Sequence, residues 1–248
     1  MSTQETYLKG IADAIRAKTG LTGTIKASEF ASKIAAISTG VAKPKWVQST
    51  LNSSGAWISV CYGNGKFVAV AYNSSVAAYS TDGVTWSSAR LPSSASWYSV
   101  CYGNGKFVAV AVNSSVAAYS TDGVNWTQST MPASANWISV CYGNGKFVAV
   151  VSGPDIAAYS TDGINWTQTI LPTSAEWRSV CYSNGKFVAV AINGSVAAYS
   201  TDGINWTQST MPANAHWCSV CYGNGKFVAV ANNSSIAAYL KDSFDEWA

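Results

Sequence analysis

The chain has 248 residues, of which 48% are hydrophobic and 11% are charged, and its formal net charge is +3. This composition fits a packed globular protein and excludes a disordered chain. The basic residues are spread out rather than gathered in a stripe, so nucleic-acid binding is not expected, and no apolar run approaches the length of a membrane-spanning helix.

The first 38 residues differ from everything that follows and predict a small helical segment. Ser2 and Glu5 have the spacing of a capping box, and apolar residues follow at helical spacing over 8–15 and again over 30–37. Two such helices carry too few apolar residues for a core of their own, so we expect residues 1–38 to pack on the repeats, on another copy or on a partner. Residues 39–45 are predicted to be a linker.

From Trp46 onward the sequence repeats every 40 residues. The run "CYGNGKFVAV" stands at 61–70 and returns four times, once with Ser183 in place of glycine. A period of this length indicates a solenoid or a propeller. Each repeat offers four β-rich runs, with an Asn64-Gly65 hairpin signal and an Asp82-Gly83 turn, and Pro92 is predicted to end the fourth strand. The predicted fold is therefore all-β, a five-bladed β-propeller over residues 46–248.

The ends of the repeat region suggest how the ring closes. The last repeat lacks a full fourth strand, and "WVQSTL" at 46–51 matches "WTQSTM" at 206–211. We predict that the strand 46–51 completes the last blade, with Trp247 as a rival for that place.

The cysteines predict neither a metal site nor disulfides. Five of the six occupy one repeat position, Cys218 is the sixth, and His216 is the only histidine. Equivalent positions on successive repeats lie too far apart to bridge. Buried free thiols and the polar first nine residues predict synthesis in a reducing bacterial cytoplasm without a signal peptide, and no cofactor is expected.

Three positions differ among the otherwise near-identical repeats, and a two-residue turn at Asn64-Gly65, pairing Trp57 with Tyr72, brings them to the end of the blade opposite the turns. Beside the invariant tryptophans they form the predicted ligand-binding set. Its members are Trp57, Trp97, Trp137, Trp177 and Trp217; Ala56, Ser96, Asn136, Glu176 and His216; Ile58, Tyr98, Ile138, Arg178 and Cys218; and Tyr72, Val112, Ser152, Ile192 and Asn232. A cleft between two blades would offer an indole ring and several polar groups, and such a site is suited to binding a sugar. Two alternatives stay open: the variation is drift, and the tryptophans are wedges between blades.

Several motifs resemble known families. "YSTDGVNW" at 119–126 is similar to the Asp-box of sialidases and related propellers, where that turn is structural. The whole repeat resembles those of bacterial and phage surface or tail proteins, and residues 8–37 resemble a segment at the front of phage tail and tail-fibre proteins. The five-blade plan resembles tachylectin-type lectins, which bind sugars between blades. These resemblances imply a particle-borne or extracellular binding protein whose residues 1–38 dock on a virion or tail protein or self-associate.

The sequence predicts binding rather than catalysis. A sialidase-like site needs an arginine cluster, but the chain has only Arg16, Arg90 and Arg178. The hypothesis is a non-catalytic, multivalent carbohydrate-binding lectin or adhesin that acts as a phage tail or surface receptor-binding protein. The alternatives are a protein-binding scaffold, a designed or reconstructed repeat protein, and a glycosidase.

Overall fold

The computed structural model describes residues 46–241, together with Lys9, residues 11–17 and Thr22. Residues 11–17 form a helix, as the sequence predicts, whereas the expected second helix over 30–37 and Trp247 lie outside the described residues. The chain divides into two compact parts, Met1–Gln48 and Ser49–Ala248. In the described part of the chain, no helix is long and apolar enough to cross a membrane.

The described residues of the second part form sheets of antiparallel strands and no helix, which confirms the all-β prediction. The strands form four sheets rather than five separate blades. The first sheet has seven strands: β1 (Ala56–Gly63), β2 (Lys66–Tyr72), β3 (Ser74–Ser80), β4 (Ser87–Gly103), β5 (Lys106–Val112), β6 (Ser114–Ser120) and β7 (Thr127–Ala135). The second has four: β8 (Trp137–Gly143), β9 (Lys146–Val151), β10 (Ile156–Ser160) and β11 (Thr167–Ile170).

The third and fourth sheets complete the array. The third contains β12 (Glu176–Ser183), β13 (Lys186–Ile192), β14 (Gly194–Ser200) and β15 (Thr207–Ala215). The fourth contains β16 (Trp217–Gly223), β17 (Lys226–Ala231) and β18 (Ala237–Lys241). We number the sequence repeats 1 to 5, as residues 56–95, 96–135, 136–175, 176–215 and 216–241.

The prediction of five separate four-stranded blades needs correction at repeats 1 and 2. β4 continues from Ser87 to Gly103, so the fourth strand of repeat 1 and the first strand of repeat 2 are one strand. Pro92 does not end it, because it lies between Arg90, which pairs with Val76, and Ala95, which pairs with Ser74, where the register shifts. Proline is tolerated at such an irregularity, where no ladder donor is needed. The continuous strand joins two repeats into one sheet.

The Asn-Gly hairpin prediction is confirmed in all five repeats. Asn64 has φ 46° and Gly65 has φ 73°, as a two-residue turn with two left-handed residues requires. The turn fixes the register: Tyr62 pairs with Phe67 and Val60 with Ala69.

The predicted pairing of Trp57 with Tyr72 is wrong by one residue. Trp57 pairs with Ala71, and Ala56 pairs with Tyr72, because a β-bulge leaves Ile58 as an extra residue between Trp57 and Ser59. The bulge recurs at the same place in every repeat. It reverses the alternation, so Trp57 lies on the same face as Val60 instead of the opposite one.

Each repeat therefore has two distinct faces. The rear face carries Trp97, Val100 and Ala109 in repeat 2, and the forward face carries Val70, Ala77 and Leu91 in repeat 1. These residues form one buried cluster, and the same arrangement recurs between each later pair of neighbours. The core is thus a series of layers between successive repeats.

Thr50 joins the array at its first repeat. Thr50 makes a parallel bridge with Thr85, and the equivalent Arg90 and Thr130 make the same bridge with the next repeat, to Asn125 and Asn165. Residue 50 thus occupies the place of a fourth strand from a preceding repeat. Among the described residues β18 has no fourth partner strand, so ring closure through residues 46–51 stays a prediction.

Candidate functional site

The variable positions lie at one end of the array, which we call the variable end. Ala56 pairs with Tyr72, and Ser74 pairs with Ala95, so these residues share an end. The Asn-Gly and Asp-Gly turns lie at the opposite end. The bulge sits at the variable end too, which gives position 58 a side-chain direction that simple alternation would not allow.

An aromatic and cationic cluster joins three repeats at the variable end. The Tyr98 ring in repeat 2 contacts the Tyr72 ring of repeat 1 edge-on, with centroids 6.3 Å apart. On its other side, the guanidinium carbon of Arg178 in repeat 4 lies 5.2 Å from the Tyr98 centroid. The first strands of neighbouring repeats also contact each other, which makes them the innermost strands of the array. Positions 58 and 72 therefore converge across the array instead of forming separate, equivalent clefts.

A polar cleft lies beside this cluster, between repeats 2 and 3. Its lining includes Asn113, Asn136, Ser152 and Pro154. The backbone N–H of Asn113 donates to Asn136 Oδ1 over 3.1 Å, and the N–H of Ser152 donates to the carbonyl of Asn136 over 3.1 Å. Asn136 Nδ2 has no partner among the described residues, so it remains available as a donor.

Some of the other variable residues form hydrogen bonds with the loop after the second strand, and others are buried. Ser96 donates to Asn73 Oδ1, and Asn193 Nδ2 donates to Glu176 over 2.7 Å. Ile138 and Val112 are buried, and Ile192 is half-buried. In the last repeat His216 and Asn232 are exposed, and the Cys218 thiol donates to the carbonyl of Val230.

The tryptophans of the predicted set do not reach solvent in the inner repeats. Trp97, Trp137, Trp177 and Trp217 are completely buried, and each indole N–H donates to the carbonyl of the residue four positions earlier. Trp57, which follows no earlier repeat, is half-buried. These indoles fill the layers between repeats, so the surface open to a ligand consists of the variable side chains.

The Asp-Gly turns are tightly organised by hydrogen bonds. Asp122 Oδ1 accepts from the N–H groups of Val124 and Asn125, both over 2.8 Å, and from the Ser120 hydroxyl. Burial opposes ionisation of Asp122, but these bonds outweigh it and hold its pKa well below the usual range. The turns lie away from the variable end and act as structural elements.

Cysteine chemistry does not extend the site. Burial raises the pKa of the Cys61 thiol to about 12 and that of Cys141 well above its usual value, so these thiols stay protonated. Within the residues that the structure describes, no group of three or more His, Cys, Asp or Glu side chains is placed to hold a metal ion.

Comparisons with known proteins identify the fold alone. No protein-family model and no curated protein sequence matches the chain. A streptogramin B lyase structure matches with a TM-score of 0.64 at 12% identity, over 71% of this chain and 62% of that protein. YCF48 from Cyanidioschyzon merolae matches with a TM-score of 0.62 at 14% identity, over 79% and 70% of the two chains. YCF48 bound to D1 peptide matches with a TM-score of 0.52 at 17% identity, over 74% and 66%.

These similarities correct one expectation and place the chain among propeller-like proteins. The prediction that the chain is not an enzyme is contradicted, because it rested on the lack of a sialidase-like arginine cluster and a lyase with a different kind of activity shares this fold. The lack of one kind of active site does not exclude catalysis. The chain spans less than two thirds of that lyase's length. The chain is thus similar in fold to propeller-like structures, and its array of antiparallel sheets belongs to that architecture.

Proposed function

We propose that the chain is a ligand-binding propeller whose variable end recognises carbohydrate, as the receptor-binding component of a phage tail or another surface. The observation that carries the proposal is the convergence of Tyr72, Tyr98 and Arg178 from three repeats. Everywhere else the repeats are nearly the same, so the residues that distinguish them meet at the one end where they can contact a common ligand.

The chemistry of this end suits a saccharide. Tyrosine rings cover the apolar face of a pyranose, and a guanidinium donates several hydrogen bonds to hydroxyl or carboxylate oxygens. Asn136 Nδ2 and the Ser152 hydroxyl in the adjacent cleft add further polar groups. A polysaccharide chain can lie across several repeats at once and gain affinity by avidity, which single weak sugar contacts cannot supply.

The experiment is a glycan array that includes bacterial surface polysaccharides, probed with the full chain. We expect binding to one sugar class, competed by the free sugar and weakened at least about tenfold by Tyr98→Ala/Arg178→Ala, a loss of about 1.4 kcal/mol. The matched control, Thr127→Ala/Gln128→Ala, changes exposed residues outside the variable end. Equal losses in both variants, or no glycan binding by folded protein, would contradict the proposal.

A protein ligand is the second candidate. Tyrosine and arginine are enriched among residues that dominate protein interfaces, and a similarly folded protein, YCF48, has been solved bound to a peptide. If the array is silent and the same Tyr98→Ala/Arg178→Ala variant abolishes capture of a surface protein, the variable end recognises protein instead.

A further inference from the structure

The contacts between neighbouring repeats follow one pattern. The Tyr102 ring lies directly on Gly63, Tyr142 lies on Gly103, and a Cβ at either glycine would overlap the ring. One hydrogen bond recurs as well: the Ser59 hydroxyl accepts from the N–H of Val100 over 3.1 Å, and the equivalent serines accept in the next three interfaces. Each forward face thus supplies a serine and, in repeats 1 to 3, a glycine, which Ser183 replaces in repeat 4, and each rear face supplies a tyrosine and a valine.

The rear face of repeat 1 has all of its groups but, among the described residues, no partner. Val60 is 59% exposed, whereas its equivalents Val100, Val140 and Val180 are each 5% exposed. Tyr62 is likewise 59% exposed, and Ile58 beside it is also exposed. These apolar side chains form a continuous patch on β1.

The forward face of repeat 5 is open in the same way. Val230 is 45% exposed, whereas Val150 is completely buried. No described atom lies within 4 Å of a Cβ built at Gly223, where a tyrosine ring would lie in an inner interface. Ser219 is exposed and, among the described residues, its hydroxyl accepts no bond of the kind that Ser179 accepts from Val220.

We propose that a second copy of this chain covers these faces, with repeat 1 of one copy docked on repeat 5 of the next. Tyr62 would then lie on Gly223, and the Ser219 hydroxyl would accept from the N–H of Val60. The interface repeats the four inner ones, so its shape and hydrogen bonds are already specified by the sequence repeat.

The geometry favours a second copy over the same chain. β1 does not pack against β16, β17 or β18 as the corresponding strands of neighbouring repeats do. A head-to-tail contact of this kind builds either a closed ring of copies or a filament.

Two measurements on the full, unmodified chain test the proposal. Light scattering across protein concentrations is expected to show association. Cys221 lies on the forward face of repeat 5 and is exposed, so its maleimide labelling, read by mass spectrometry, is expected to fall at least about fivefold as association proceeds. Cys218, which is half-buried near the variable end, is the internal reference.

Variants locate the contact. Val60→Asp and Gly223→Arg each alter a group that is open in the single chain, and Ser183 already occupies the glycine position in repeat 4, so the backbone accepts a side chain there. Both are expected to weaken association at least tenfold. Thr127→Asp, at a position that is exposed in repeats 2, 3 and 4 alike and so is not covered by a neighbouring repeat, is the control.

Three outcomes would overturn the proposal: a monomer at every concentration with unchanged Cys221 labelling, association that survives both face variants, or closure within one chain. To test for closure within one chain, the substitutions Tyr62→Cys and Gly223→Cys are made together in the same chain. A disulfide that leaves the chain monomeric on a non-reducing gel shows that its own faces meet, whereas a disulfide ladder of multimers supports the second copy.

Discussion

At the scale of single residues, the same amino acid has different roles because its neighbours differ. Trp137 is enclosed between repeats 2 and 3, and its indole N–H donates to the carbonyl of Ala133 over 3.1 Å. Trp46 is completely exposed. The sequence analysis includes Trp137, but not Trp46, in the predicted ligand-binding set, whereas burial shows that Trp137 supports the core.

We expect Trp137→Ala to lower the free energy of unfolding by about 3–5 kcal/mol, because it removes a large buried side chain and leaves a cavity. Trp46→Ala should change it by less than about 0.5 kcal/mol, as for other surface substitutions. Denaturant unfolding followed by circular dichroism measures both. A small effect at Trp137 would mean that this indole is not part of the core.

At the scale of elements, two turns define each repeat. The Asn-Gly turn sets the strand register, and the Asp-Gly turn collects a carboxylate, a serine hydroxyl and several backbone N–H groups. Hydrogen bonds from the N–H groups of Thr85 and Val84 hold the pKa of Asp82 at about 2, and the other three turns have carboxyl pKa values lowered in the same direction. The ionised carboxylate therefore stabilises the turn.

The stability of these turns should depend on pH in the acid range. A pKa that is lower in the folded state than in the unfolded chain, about 3.9 for aspartate, adds stability that is complete above pH 4 and is lost as the pH falls toward 2. We expect the wild type to be more stable than Asp162→Asn at pH 7 and the difference to shrink between about pH 4 and pH 2.

Thermal unfolding at a series of pH values checks this prediction. Asp155→Asn, which lies outside the Asp-Gly turns, serves as the control for removing one carboxylate. A stability difference between the wild type and Asp162→Asn that stays constant down to pH 2 would contradict the role of the ionised carboxylate.

At the scale of the whole molecule, stability comes from the buried layers between repeats. The rear face of repeat 1 and the forward face of repeat 5 have no such layer among the described residues. The same valine is buried in repeats 2 to 5 and exposed in repeat 1. In such arrays each repeat contacts only its neighbours, so the cost of a substitution depends on its place in the series.

We expect Val140→Ala to cost about 2 kcal/mol, because it removes buried methyl groups from an inner layer. Val60→Ala should cost less than about 0.5 kcal/mol at low protein concentration, where no second copy covers it. Urea unfolding of the two variants and the wild type tests the difference. Equal costs at low concentration would show that the rear face of repeat 1 is covered within the single chain.

How much of the fold could be predicted from the sequence depends on how far apart in the chain the interacting residues are. The 40-residue period, the β-strands and the Asn-Gly hairpin follow from local residue preferences, which the sequence displays directly. The division of the repeats into four sheets could not be predicted, because the continuity of β4 through Pro92 depends on a register shift against β3 that accommodates the proline. The bulge at Ile58 was equally hidden, since Trp-Ile-Ser reads as ordinary alternation.

The sequence by itself therefore determined the all-β class, the register near each Asn-Gly turn and which positions vary between repeats. Only the tertiary structure decided that the bulge places Trp97 and its equivalents inside the layers and that Tyr72, Tyr98 and Arg178 meet at one end. Only the tertiary structure shows that the side chains of Val60 and Val230 are exposed. The physical reason is that these outcomes depend on packing between repeats far apart in the chain, which identical local sequences cannot distinguish.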